Sequence, residues 1–343
     1  MGVERFFSSI RDEFNITINS EYPYKKIKSK YLFIDFNSII HVLSAHKINL
    51  YNLQQKTDKD IFEKELIEHI DNYIINMLKD NCEASMLEYI YICIDGVPTM
   101  SKIYEQKKRR YMASLIQYIR NKTTIDKQIF IWDKNNISPG TKFMAKLEDY
   151  LNSEKFKNKI LDTCKNLKEY KLSGTNEKGE GEMKIINIIK NNNINEDTIV
   201  YSPDSDIIIL LMMLNNNNTI LRYDQQNTVL DDNFKGHIYN IIEVNKFKQI
   251  LKNYIETRKN PYININTDRF INDVILIFII FGDDFLPKLE NFRVSNDIYV
   301  ILDYYLINYQ NNGYLLNDDK SIKKISLMQF LYYLSRNEYL FLE

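Results

Sequence analysis

The chain reads as an α/β protein with a mostly parallel central sheet and helices on both faces. Two patterns predict this. Apolar, β-rich runs at 31–36, 89–94, 128–132, 198–202 and 219–223 alternate with helical periodicity at 60–79, 98–120, 142–165 and 182–190. Strands that alternate with helices join as parallel neighbours through crossover helices. Carboxylates also stand where these elements begin or end, and the carboxyl ends of strands in an open α/β sheet line the crevice that receives ligands. No Gly/Ser/Pro linker and no internal repeat interrupts the sequence. Residues 1–310 are therefore expected to form one unit, and 311–343 the start of a helical second region that is cut short.

Taken in order, YLFIDF closes on Asp35 and YIYICIDG on Asp95. The GEGE segment that opens the helix at 182–190 carries Glu180 and Glu182. The run TIVYSPDSD ends in Asp204 and Asp206, and IFIIFGDDF supplies Asp284. Any one of these acids alone is ordinary, because Asp and Glu favour turns and helix N-caps. Five acidic motifs, each closing an apolar run or opening a helix, are another matter. Converging carboxylates repel unless cations neutralise them. An all-oxygen set suits Mg²⁺ or Mn²⁺, the ions of two-metal phosphodiester hydrolysis.

A second cluster follows Asp95 directly. In GVPTMSKIYEQKKRRYMASL, Pro98 suits a first helical turn. Lys102, Gln106, Arg109 and Arg110 then fall within about 100° of one helix face. Guanidinium forks and an ammonium facing one way bind phosphate, although a solvated basic face has the same pattern. His41, in DFNSIIHVLSAH, is either a half-buried polar residue or a group that stacks on a nucleobase.

Composition limits the alternatives. Hydrophobic residues make up 44% and charged residues 27%, as in ordinary globular chains. The longest apolar stretch, Val274 to Phe281, is a core element rather than a membrane span. MGVERFFSSI is too polar for a signal peptide, and Phe6 stands where myristoylation wants Ser or Thr. The net charge of −1 gives no overall basic field, yet a local basic patch can hide behind an acidic centre. Three scattered cysteines, Cys82, Cys93 and Cys164, make no disulfide framework and fit a reducing compartment, the cytoplasm or nucleus. The four histidines show no zinc spacing. Asn runs at 191–193 and 215–218 read as polar loop insertions. The apolar tail, with Phe330, Leu331, Tyr332, Tyr333, Leu340 and Phe341, is expected to pack on the core or on a protein partner.

Together these motifs resemble the N-terminal nuclease region of the Xrn-type 5′→3′ exoribonucleases, in the flap-nuclease/PIN-like superfamily. The resemblance spans most of 1–300 and rests on GVERFF, DFNSIIH, CIDGVPTMSKIYEQKKRR, SPGTKFMAKL, GEGEMKII, YSPDSDIIIL and GDDFLPKL, in the family's order. It implies that Asp35, Asp95, Glu180, Glu182, Asp204, Asp206 and Asp284 hold two Mg²⁺ or Mn²⁺ ions. It implies too that Lys102, Gln106, Arg109 and Arg110 bind a 5′ monophosphate on RNA and that His41 stacks on the first base. Glu4, Met183 and Asp283 depart from the family's usual Pro, His and Asn, and YSPDSD varies the residues around its acids; no implied ligand is lost. The rival readings are a structure-specific 5′ DNA nuclease and a non-catalytic binder of RNA 5′ ends.

Overall fold

The computed structural model describes residues 6–14, 17–20, 26–123, 130–224, 239–282 and 294–342. In chain order its elements are α1 (Phe6–Phe14), β1 (Thr17–Ser20), β2 (Tyr31–Asp35), α2 (Asn37–Leu53), α3 (Lys59–Asn81), β3 (Tyr89–Cys93) and α4 (Met100–Thr123). There follow α5 (Lys142–Asn152), α6 (Glu154–Thr163), β4 (Glu169–Ser173), α7 (Gly181–Asn191), β5 (Thr198–Tyr201), α8 (Asp206–Met212) and β6 (Asn218–Tyr223). The last are β7 (Tyr239–Glu243), α9 (Val244–Arg258), α10 (Thr267–Gly282), α11 (Val294–Asn312) and α12 (Lys324–Leu342). The chain divides into two compact units. One comprises Asn19–Pro203 and Thr219–Ile241; the other comprises Met1–Ile18, Asp204–Asn218 and Ile242–Glu343. Helices α11 and α12 pack together inside the second unit.

Among the described residues the sheet has seven strands in the order β1-β7-β6-β5-β2-β3-β4. The run β5-β2-β3-β4 is parallel throughout: Ile34 stands opposite Ile92 and Tyr201, Asp35 opposite Cys93, and Cys93 opposite Ser173. This register brings the carboxyl ends of four strands level. Leu32, Phe33, Ile34, Ile90, Ile92, Ile199 and Val200 are buried, as expected for parallel strands covered on both faces. Strand β4, EYKLS, buries only Ser173. Its Lys171 and alternating exposure are those of an edge strand, and no apolar run betrays it in the sequence.

Two expected elements form differently. Of the strand expected at 128–132, Phe130 to Trp132 are irregular backbone. The amide of Asn52 takes the place of a neighbouring strand: its Oδ1 accepts the Phe130 N–H at 2.9 Å and its Nδ2 donates to the Phe130 carbonyl at 3.0 Å. The ring of Phe130 then packs with Tyr51 and Phe62, and Trp132 packs against Phe62. The single helix expected over 142–165 is two, α5 and α6. Ser153 leaves helical backbone and its Oγ caps α6 by accepting the Phe156 N–H, which resets the helix direction.

In the second unit α10 carries the apolar stretch, with Val274, Ile277 and Phe278 buried. Phe278 meets Phe6 of α1 edge-on at 5.0 Å. In the tail Phe330 is fully buried, with its ring edge against Phe281, and Leu334 is buried too. Tyr332 is exposed, Leu331 and Tyr333 are half-buried, and the side chains of Leu340 and Phe341 lie outside the described residues. All three cysteines are buried free thiols. Burial pushes Cys82 and Cys93 up to about 12 and Cys164 to about 11.

Asp273 on α10 is the buried polar anchor of this unit. Its Oδ2 accepts from the Tyr305 hydroxyl and the Leu315 N–H, both at 2.8 Å, and its Oδ1 accepts from the Leu316 N–H at 3.0 Å. Burial outweighs these donors and raises the carboxyl to about 6. The folded state thus holds this proton more tightly than the unfolded one, so the group stabilises most at acid pH and loses that contribution as pH rises through about 6. Asp273→Ala orphans three donors and should cost about 2–4 kcal/mol. Urea melts should show the gap between wild type and variant shrinking from pH 4 to pH 7; a gap that widens refutes the assignment.

Candidate active site

Strand β2 delivers Asp35 at its carboxyl end, where the side chain is buried. The Ser202 hydroxyl, just past β5, donates to Asp35 Oδ2 at 2.9 Å. Asp95 lies two residues beyond β3, and its backbone N–H donates to the side-chain oxygen of Asn37, the first residue of α2. The Asp95 loop is laced to the segment before α7 by two backbone hydrogen bonds, Gly96 N–H to Gly179 O at 2.9 Å and Gly179 N–H to Val97 O at 3.1 Å. Gly179 has φ +101°, which a side chain would strain. That lacing sets the start of α7 directly against Asp95, whose Oδ1 accepts the Gly181 N–H at 2.7 Å.

Gly181 marks the point of convergence. A Cβ there would lie 2.6 Å from Asp35 Oδ1, 3.0 Å from the Cys93 carbonyl oxygen and 3.4 Å from Asp95 Oδ1. Two carboxylates from adjacent parallel strands therefore close on the first turn of one helix. A helix N-terminus, with its unsatisfied N–H groups and positive dipole end, favours negative charge there. Glu180 occupies the N-cap position of α7 and Glu182 its first turn. Glu180 does not cap; it pairs with Lys102 Nζ of α4 at 3.3 Å. Burial, with Asp95 nearby, lifts the Glu180 carboxyl above its ordinary value despite Lys102. Burial works to lower Lys102, but Glu180 chiefly carries it above the usual lysine range. Behind them Lys184 is buried and donates to the carbonyls of Ile94 and Gly174 at 2.7 and 2.8 Å, bracing both loops. Its pKa is lowered by that burial.

The basic residues lie on α4 as the spacing requires. Lys102, Gln106 and Arg109 are half-buried and Arg110 is exposed. Arg109 pairs with Glu105 one turn before it at 2.8 Å. His41 is exposed in the second turn of α2. Asp204 and Asp206 belong to the other compact unit, Asp204 exposed before α8 and Asp206 as its first helical residue. Asp284 lies outside the described residues. Among the described residues, no group of three His, Cys, Asp or Glu side chains is gathered closely enough to hold an ion. The donor set nonetheless fits a hard divalent cation in kind, since it consists only of carboxylate oxygens, two of which already face one point.

Sequence reasoning missed Ser202, Asn37, Lys184 and the part played by Gly181. Small or polar residues flanking each acid were the available signal: Asn after DF, Gly between the two glutamates, Ser before PDSD.

Residues 1–224 match the family model described as the XRN 5′-3′ exonuclease N-terminus. A protein of Acanthamoeba polyphaga mimivirus named as a 5′-3′ exonuclease is 33% identical over 59% of this chain and 33% of its own length. The 5′-3′ exoribonuclease 1 of Saccharomyces cerevisiae is 25% identical over 99% of this chain and 23% of its own length. The human 5′-3′ exoribonuclease 1 is 23% identical, over 92% and 19% respectively. The chain thus spans a third or less of these relatives. With its acids meeting at the strand ends and its first 224 residues matching throughout, the chain belongs to the XRN 5′-3′ exonuclease family.

Proposed function

We propose that the chain is a metal-dependent exoribonuclease that degrades 5′-monophosphorylated single-stranded RNA from its 5′ end, releasing nucleoside 5′-monophosphates. The observation that carries this reading is the meeting of Asp35 and Asp95 at Gly181, with Glu180 beside them and Lys102 facing in from α4. The names of the relatives support the polarity and the choice of RNA.

Asp35, Asp95, Glu180 and Glu182, with Asp204, Asp206 and Asp284, would hold two Mg²⁺ or Mn²⁺ ions. Bound there, the ions would supply Lewis-acid polarisation of the phosphodiester and a water of lowered pKa. Without cations the same carboxylates repel a phosphodiester. Lys102, Gln106, Arg109 and Arg110 offer charge and hydrogen-bond donors to the terminal phosphate, which fixes how far the strand enters. His41, exposed on α2, is available to stack on the first base. On α12, Ile325, Met328 and Tyr332 form an exposed stripe at helical spacing on which a protein partner would sit. Light scattering that shows only a monomer with no binding of an apolar-surface dye removes that element.

EDTA should abolish mononucleotide release, and Asp95→Asn should slow it by about 10²–10³-fold or more. Melting without metal should be unchanged or slightly raised, because one of several repelling charges is gone. Near-normal turnover in Asp95→Asn would remove Asp95 from the site.

The 5′ end provides the other test. A pocket that takes one phosphate excludes a triphosphate or cap by length, and a 5′ hydroxyl forfeits charge-assisted hydrogen bonds worth about 1.5–3 kcal/mol each. Time courses should show rapid decay of 5′-monophosphate RNA and resistance of the hydroxyl, triphosphate and capped forms, with Arg110→Ala slowing the monophosphate substrate alone. Equal decay of all four ends refutes the pocket, and faster decay of matching DNA favours a DNA nuclease.

A further inference from the structure

The two oxygens of the Asp35 carboxylate have different surroundings. Oδ1 faces the backbone of Gly181 beside Asp95 Oδ1. Oδ2 points the other way and accepts the Ser202 hydroxyl at 2.9 Å. Ser202 has no exposed surface, and burying a hydroxyl costs free energy unless it is hydrogen-bonded. Its backbone is held as well. The Ser202 N–H donates to the Leu221 carbonyl on β6 at 3.3 Å. Pro203 follows directly, and the residue before a proline is restricted to extended backbone. The donor is thus anchored by strand pairing and by sequence, and it reaches Asp35 across the parallel β2–β5 pair.

We propose that Ser202 is a positioning residue that fixes the Asp35 carboxylate with Oδ1 presented to a divalent cation and Oδ2 withheld. This rests on the cation-dependent reading given above. A carboxylate with one oxygen held by a hydrogen bond favours binding through the other. One-oxygen ligation suits the small, strictly octahedral Mg²⁺ and its near equivalent Mn²⁺. Ca²⁺ is larger, takes more ligands and often engages both oxygens of a carboxylate. Ser202 therefore contributes both to affinity and to discrimination against Ca²⁺. Groups that orient ligands from outside the coordination shell typically contribute ten- to a hundredfold in affinity.

The test is Mn²⁺ binding to the purified chain, read by electron paramagnetic resonance without RNA, with Ca²⁺ as competitor. Ser202→Ala should weaken Mn²⁺ about tenfold and bring Ca²⁺ closer to it. Ser202→Thr, which keeps the hydroxyl, should stay near wild type. Ser202→Cys, a weak donor of nearly the same volume, should show the same loss as alanine and replaces it if the alanine variant does not fold. In an Asp35→Asn background, Ser202→Ala should have no further effect, because the group it orients no longer ligates. Wild-type affinity and selectivity in Ser202→Ala overturn the proposal while leaving the nuclease reading intact. Equal weakening in Ser202→Ala and Ser202→Thr, in step with lower melting in EDTA, makes the residue a packing element and also overturns it. If the wild-type chain binds no Mn²⁺, both readings fall together.

Discussion

One oxygen of Asp35 reaches into the space that a methyl group on Gly181 would fill, and Asp95 Oδ1 lies at its edge. A side chain at Gly181 is excluded by Asp35 Oδ1 and the Cys93 carbonyl, so the first turn of α7 comes closer to the strand ends than any substituted residue allows. The rest of the arrangement follows from that approach. It requires β2 and β3 to end level, which their parallel register provides. It also requires the loops after β3 and before α7 to run side by side, which the hydrogen bonds between Gly96, Val97 and Gly179 enforce. The positive end of the α7 dipole then meets the carboxylates of Asp35 and Asp95, the orientation electrostatics favours.

Gathering acids has a folding cost, and the sheet unit offsets it locally. Lys102 faces Glu180 from α4, while Lys184 crosses beneath and ties the carbonyls of Ile94 and Gly174 together. These lysines differ in kind. Lys184 is sealed in and binds only neutral carbonyls in this contact, so it acts as a strut. Lys102 stays partly accessible, and its charge lies between the carboxylates and the remainder of the basic face. One helix, α4, thus carries both the partner of Glu180 and the rest of the basic face.

The parts of this plan that were legible in the sequence share a physical origin. Strands β2, β3 and β5 are buried on both faces, so each appears as an unbroken apolar run next to a conspicuous acid. Strand β4 escaped because an edge strand has one buried face and little need of apolar residues. Phe130 to Trp132 looked like a strand because Phe130 and Trp132 are core residues, yet the backbone of Phe130 is satisfied by one distant asparagine that periodicity cannot reveal. The break at Ser153 is a cap, visible in principle as a serine three residues before Phe156, but overrun by continuous amphipathic spacing. In the site, the acids stood out by charge, whereas Ser202 and Asn37 matter through distances that only the folded chain sets.

The buried thiols carry a consequence for the chemistry of the folded chain. Sulfur attacks oxidants and alkylating reagents as the thiolate. Burial holds Cys82 and Cys93 up at about 12, so their sulfurs stay protonated at neutral pH, and none of the three is exposed. Cys93 is further guarded by the negative charge of Asp35 beside it. Iodoacetamide or peroxide would therefore find no nucleophile until the sheet opens, so modification of these sulfurs would report unfolding rather than the redox state of the surroundings.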